Sequence, residues 1–190
     1  YSNLITCTNM DFLCVQFQFT TKQKNISIIG QESQAETWRL CKMNLAIRGI
    51  SHNLGEKNAS TFTEDLHKDK KVDFIMANPP FNLKNWRNED ELTNDARWRG
   101  YALPRVSNAN YAWILHMISK LDVSHGIAGF LLANGALNEQ DDLEIRRKLI
   151  ENDKVEAIIV LPRNMFYTTD ISVTLWILNM NKKATISNGR

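Results

Sequence analysis

Apolar and polar positions along this chain fall into two periods. Short apolar runs at residues 26–30, 72–77, 127–133, 155–161 and 171–178 predict β-strands, the last rich in β-branched residues. Between them lie stretches with helical spacing. Ser33 and Glu36 have the separation of a capping box, which predicts a helix from there to about Arg48, with Trp38, Cys41 and Leu45 on one face and Gly49 as its stop. Residues 110–121 are apolar on most sides and predict a buried helix, and residues 141–151 a third. A short strand is expected near residues 60–62. Residues 1–25, with Phe12, Leu13, Val15, Phe17 and Phe19, fit a strand or a buried helix equally well. Residues 82–107 show no period, and a loop of that length is usually functional or mobile. Alternating strands and helices predict a mostly parallel sheet flanked by helices. No internal repeat or low-complexity segment divides the chain, so a single domain over residues 1–190 is expected.

One tetrapeptide adds chemistry to this pattern. Asn78-Pro79-Pro80-Phe81 follows directly on the apolar run 72–77. Proline fixes its own φ and biases the residue before it toward extended conformations. Asn78 and Pro79 are therefore held rigid at the carboxyl edge of a strand, where open α/β sheets bind ligands. A rigid carboxamide beside a ring suits a planar ligand that carries an amino group, adenine first. The exocyclic nitrogen of adenine is a poor nucleophile because its lone pair is delocalised. Fixed acceptors at the Asn78 side chain and the Pro79 carbonyl would each take one N–H and favour a pyramidal nitrogen. Phe81 could stack on a base taken out of a helix. A plain Pro-rich turn, with Asn78 bonding its own backbone, has the same sequence.

Composition bounds the rest. A chain of 190 residues, 43% hydrophobic and 23% charged, can bury a substantial core. A formal charge of +2 is too weak to argue for nucleic-acid binding, so any basic surface must be local. Cys7, Cys14 and Cys41 form no CxxC pair, which predicts buried thiols in a reducing compartment and no metal site. No apolar run is long enough to span a membrane and no signal peptide is apparent, so no membrane partner is expected. The chain opens on Tyr1, which predicts a piece of something longer.

Several blocks together resemble one family, the modification (methyltransferase) subunit of type I restriction–modification systems, which are AdoMet-dependent DNA adenine-N6 methyltransferases. They are Gly30-Gln31-Glu32-Ser33, Thr37-Trp38-Arg39-Leu40, Ala77-Asn78-Pro79-Pro80-Phe81-Asn82, Asp95-Ala96-Arg97-Trp98, the run from Asn108 to His116, Ala133-Asn134-Gly135, and Leu161-Pro162 through Phe166 to Thr169. The resemblance covers residues 26–183 in collinear order. It implies a doubly wound α/β fold with a mostly parallel sheet of the AdoMet-dependent methyltransferase type, incomplete at its N-terminus. It implies S-adenosyl-L-methionine as cofactor, DNA as substrate, a cytoplasmic location, and a specificity subunit, a restriction subunit and a second modification subunit as partners. Asn78, Pro79, Pro80 and Phe81 match the target-amine motif. Glu32 matches the acidic residue that takes the ribose hydroxyls, though a first-turn carboxylate stabilised by a helix dipole reads the same. Phe166 matches an aromatic block that helps wall the flipped base, or is a core aromatic beside the last strand.

Two departures qualify the match. The family's Gly-rich first motif has no counterpart: no glycine precedes Gly30, and a gapless alignment puts residues 5–12 at that place, with Ile5 at its Asp. Ser60 stands where the family usually has an Asp near the cofactor's adenine. Two alternatives therefore stay open. One is an inactive remnant that keeps the fold and its subunit and DNA contacts without binding AdoMet. The other is a methyltransferase for a protein glutamine amide, since the tetrapeptide also occurs there.

In residues 82–107, Lys84, Arg87, Arg97, Arg99 and Arg105 interleave with Trp86, Trp98 and Tyr101. That reads either as a DNA-facing loop or as a solvated loop tied down by Arg97 and Trp98. His116, inside an apolar helix, reads as a satisfied core residue.

Overall fold

Period-2 alternation along the strands decides which face of the molecule each helix covers. The computed structural model describes residues 2–8, 26–164, 166 and 170–182, and the backbone alone for 2–8 and 26. In chain order these form β1 (Ser2–Thr8), β2 (Ile26–Gln31), α1 (Ala35–Ile47), β3 (His52–Asn53), β4 (Phe74–Asn78), α2 (Asn110–Lys120), β5 (Ile127–Ala133), α3 (Leu143–Glu151), β6 (Val155–Val160) and β7 (Val173–Asn179). Among the described residues seven strands make one sheet in the order β3-β2-β1-β4-β5-β7-β6. β7 runs antiparallel to both its neighbours, and the other pairings are parallel. Ile29, Ile5, Ile75, Ala128 and Leu178 stand in one row across the sheet. Ile29, Ile75, Ala128 and Leu178 from that row join the main core, which takes in most of α2. One position earlier, Ile28 faces the other way and packs with Cys41, Leu45 and Leu54 under α1. Helices on both faces make the sheet doubly wound, as expected.

Local chemistry explains the boundaries. α1 closes with a Schellman turn: Gly49 has φ +64°, its N–H donates to Ala46 O, and the Ile50 N–H donates to Leu45 O. Its start corrects the capping-box expectation. The helix opens one residue later, with Gln34 as N-cap and no side-chain cap, and the Ser33 hydroxyl donates back to the Glu32 carboxylate. Residues 60–62 are a turn and not a strand; Ser60 Oγ accepts the N–H groups of Phe62 and Thr63, and the short edge strand is His52–Asn53 instead. α2 is buried on nearly every side, including Lys120, which is neutralised by Asp65 at 2.6 Å. Its tight connection to β5 needs Gly126, where a Cβ would stand 2.6 Å from Asp122 O. Burial pushes the Cys41 thiol up to about 11, and a nearby Glu32 charge adds to it, so this cysteine is an inert core residue. Cys7 and Cys14 lie outside the described side chains. No helix among the described residues is long and apolar enough to cross a membrane.

On β4 the two faces differ sharply: Ile75 is 1% exposed and Met76 42%. Ile75→Ala is expected to lower stability in urea unfolding by about 2–5 kcal/mol, and Met76→Ala by less than about 1 kcal/mol.

Candidate active site

The strand order places one crevice at the centre of the carboxyl edge. β2 and β3 lie on one side of β1, and β4 and β5 on the other, so the chain reverses its direction of travel between β1 and β4. Ligands of open α/β sheets bind at such a switch point. Asn78 is the last residue of β4 and pairs with Thr8, the last of β1. Pro79 behind it is buried, and Pro80 and Phe81 are half-buried. The Asn78 Oδ1 is buried and, among the described residues, accepts no hydrogen bond, from its own backbone or any other group. The Phe81 ring meets Phe166 edge-on, with centroids 6.1 Å apart and planes at 62°. The fold thus brings together two aromatic residues that are far apart in sequence.

A cluster of amides holds the exit from this turn. Asn82 has φ +55°, a left-handed conformation that Asn tolerates better than most residues. Its N–H donates to Asn110 Oδ1 at 3.0 Å, and its Oδ1 accepts from Asn110 Nδ2 at 2.9 Å and Asn108 Nδ2 at 3.2 Å. Asn108 Oδ1 accepts the N–H of Asn110, and Asn108 Nδ2 lies 3.3 Å from the Glu139 carboxylate.

On the β2 side lies a cavity of about 270 Å³, lined by Gln31 to Gln34, Ser60, Thr61, Phe62, Pro80, Leu83, Trp86 and Trp113. Glu32 leaves β2 at its rim. Its Oε1 accepts the Gln34 N–H and the Ser33 hydroxyl, while its Oε2 is buried and has no partner. Glu32 lies ahead of the N-cap and is not a first-turn carboxylate, and its bond to the N-cap N–H uses only one of the two oxygens. Gln31 fixes the opposite wall: its Nε2 donates to Ala59 O and Glu64 O, and its Oε1 accepts the Leu66 N–H. Phe62 packs against Trp86 and Trp113 with ring centroids at 4.5 and 4.2 Å, so the floor is aromatic.

Residues 82–107 turn their cations inward. Arg87 is buried and donates to the carbonyls of Asn88, Glu89, Glu91 and Pro104. Arg105 pairs with Glu139, Asp141 and Asp142. Arg97 forks onto Asp95 and donates to the carbonyls of Thr61 and Phe62 at 3.0 and 2.6 Å. Trp86 and Trp98 are core residues, and Lys84 and Arg99 remain exposed. This is the tied loop and not a run of free phosphate-binding cations. Its ties reach the cavity wall at residues 61 and 62.

Comparison with known proteins gives these features a frame. The family model for N-6 DNA methylase matches residues 5–189. The chain belongs to the N-6 DNA methylase family. It is 49% identical over 161 residues to the type I restriction enzyme HindI methylase subunit of Haemophilus influenzae, covering 84% of this chain and 36% of that one. It is 38% identical to the MjaIX methylase subunit of Methanocaldococcus jannaschii, covering 83% of this chain and 28% of that one. Among solved structures, the methyltransferase subunit of a type I restriction-modification system from Streptococcus thermophilus superposes with a TM-score of 0.83 at 26% identity, over 93% of this chain and 39% of that one. The chain spans roughly a third of the length of these relatives. Its fold is that of the AdoMet-dependent methyltransferases.

Within this family fold, Asn78, Pro79, Pro80 and Phe81 stand at the carboxyl end of β4, Glu32 just beyond β2, and Phe166 against Phe81. The sequence reading missed Gln31, Asn82, Asn108 and Asn110 as parts of the site's frame. One signal was available: an Asn closing a Pro-Pro-Phe turn, and an Asn-x-Asn pair opening a buried helix, are amides that find partners inside.

Burial acts to raise the Asp95 carboxyl, but the hydrogen bonds and charge of Arg97 outweigh it and hold it below the usual range. Arg97→Ala strands that carboxylate and two carbonyls and is expected to cost about 3 kcal/mol or more in chemical denaturation. His116 is driven down to about 3, chiefly by burial and then by the Arg97 charge. The folded protein therefore refuses a proton that the unfolded chain takes near pH 6.5, and stability falls as pH drops from there toward 3. Unfolding curves at pH 7 and pH 5 are expected to show this loss, with a slope up to about 1.4 kcal/mol per pH unit steeper than in His116→Gln.

Proposed function

We propose that residues 1–190 are catalytic-domain sequence of a type I modification subunit that methylates adenine at N6 in DNA. The observation that carries this is the pair of buried oxygens without donors at the switch-point edge, Asn78 Oδ1 and Glu32 Oε2. Each has the chemistry its place requires. The Glu32 carboxylate, anchored through Oε1, keeps Oε2 for a hydroxyl donor, which fits a ribose. The cavity beside it, floored by Phe62, Trp86 and Trp113 and flanked by Pro80 and Leu83, fits a flat purine. The residues present therefore fit the nucleoside part of S-adenosyl-L-methionine, which when bound supplies an electrophilic methyl group.

The chain's own residues then act on the target. Asn78 Oδ1 and the Pro79 carbonyl accept the two N–H bonds of the adenine amine, which turns its lone pair out of the ring. Phe81 stacks on the flipped base, and Phe166, edge-on to it, closes one side of the base pocket. Exposed Lys84 and Arg99 contribute local positive charge toward phosphate. Sequence would be read by a separate specificity subunit, with a second modification subunit and a restriction subunit completing the complex.

One specific observation favours a second reading, an inactive remnant: no glycine lies between Tyr1 and Gly30 to make the close turn beyond β1. Residues 9–25, where that turn would fall, lie outside the described residues.

The test is product identity. The chain, assembled with its specificity partner, is incubated with labelled S-adenosyl-L-methionine and duplex DNA, and the DNA is digested to nucleosides. The expected label is in N6-methyladenine, falling by about two orders of magnitude or more in Asn78→Ala. Label in a protein glutamine amide would move the assignment to the glutamine reading.

A further inference from the structure

We infer that Asn82, Asn108 and Asn110 form a positioning clamp that fixes the target-amine motif, an inference that rests on the methyl-transfer reading above. Of the two residues proposed to meet the base, Asn78 ends β4 and Phe81 sits on the loop behind it, and a strand end running into a loop does not by itself hold both groups to the accuracy that orienting an amine requires. Pro79 and Pro80 stiffen the entrance. Nothing in the tetrapeptide fixes its exit.

The exit is fixed by Asn82. Its left-handed φ reverses the chain after Phe81, and both its amide functions are then used. The backbone N–H and the side-chain oxygen close a two-bond ring with the Asn110 carboxamide, and Asn108 Nδ2 adds a second donor to the same oxygen. Asn110 is fully buried and opens α2, the most buried helix of the fold. The Ala109 N–H donates to Leu83 O at 2.9 Å and extends the fastening by one residue. From the far side, Asn108 is held by Glu139 in the segment after β5, and Glu139 is paired with Arg105. The motif is thereby tied to both the helix that follows it and the strand beside it. None of the three asparagines lines the cavity beside Glu32; of the residues next to the clamp only Pro80 and Leu83 reach its wall.

This separation makes the role measurable. Asn82→Ala loses the side-chain oxygen and strains the left-handed turn. Asn82→Gly keeps the φ but loses the oxygen. Asn82→Asp keeps an acceptor and a side chain tolerated at positive φ. At saturating cofactor and DNA, the methylation rate is expected to fall about a hundredfold in both the Ala and Gly variants, as for an ångström-scale misplacement of a reacting group. The Asp variant is expected to retain most of the rate, and cofactor affinity to stay near wild type in all three. A wild-type rate in Asn82→Gly would show that only the φ matters and would overturn the clamp. So would a loss of cofactor affinity in parallel with rate, which marks general destabilisation.

A second measurement needs no activity at all. In the wild-type chain the Asn82 N–H is bonded to Asn110. In Asn108→Ala its hydrogen exchange is expected to speed up by about five- to tenfold, the loss of one hydrogen bond, while Ile75 and Ala128 stay protected. Unchanged exchange at Asn82 overturns the clamp even if the chain methylates adenine. Faster exchange in a chain that methylates nothing would leave the clamp standing and remove the proposed function.

Discussion

A buried acceptor without a donor costs about 1–3 kcal/mol, and folded proteins keep few of them. Among the described residues the carboxyl edge of this sheet keeps three, Glu32 Oε2 after β2, Asn78 Oδ1 at the end of β4 and Asn134 Oδ1 after β5, the first two on strands that flank β1. The surrounding structure maintains that arrangement. Glu32 is prevented from turning both oxygens to the helix start because only the Gln34 N–H and the Ser33 hydroxyl reach it, and both go to Oε1. Asn78 is kept from bonding its own backbone by the two prolines that follow it. Burial of Pro79 and the amide network around Asn82 then leave the turn a single geometry. An energetic cost borne along one edge of the sheet is what a site shaped for a ligand with donors to spare would carry.

The wall between the two halves is built by long-range hydrogen bonds from unexpected places. Gln31 reaches across to residues 59–66, and Arg97, from the middle of the long loop after the tetrapeptide, reaches back to the carbonyls of Thr61 and Phe62. The long loop after the tetrapeptide and the segment that walls the cavity therefore share a guanidinium. His116, kept neutral by burial and by Arg97, sits behind that contact with its Nδ1 3.4 Å from the Arg97 Nη1. A buried charge network of this kind is specific in geometry and sensitive to acid.

Much of this was legible in the sequence, for identifiable reasons. β5 and α2 were placed closely because each is a strong single-period segment bounded by turn residues. The Gly49 stop was legible because one residue type does that job. Asn78 to Phe81 stood out because two prolines after an apolar run have few structural uses. What failed depended on competition. The Ser33 and Glu36 spacing was right for a capping box, but the Ser33 hydroxyl donates to Glu32, one residue ahead of it, and the helix takes Gln34 as its N-cap. The apolar residues near 60–62 looked like a strand because Phe62 is buried, yet it is buried as a turn residue against Trp86 and Trp113. The cations of residues 82–107 looked available to phosphate. The consumption of Arg87, Arg97 and Arg105 by backbone carbonyls and by Asp95, Glu139, Asp141 and Asp142 follows only from the tertiary fold, and Lys84 and Arg99 alone stay exposed.

The central claim is that the cavity at Glu32 is a working nucleoside site in this chain, in spite of the glycine-free stretch ahead of Gly30. Isothermal titration of the chain with S-adenosyl-L-methionine tests it most directly. Binding in the micromolar range is expected, weakened about ten- to a hundredfold in Glu32→Ala, as for loss of a hydrogen bond to a charged acceptor. Absence of binding, or binding that is indifferent to Glu32, would contradict it.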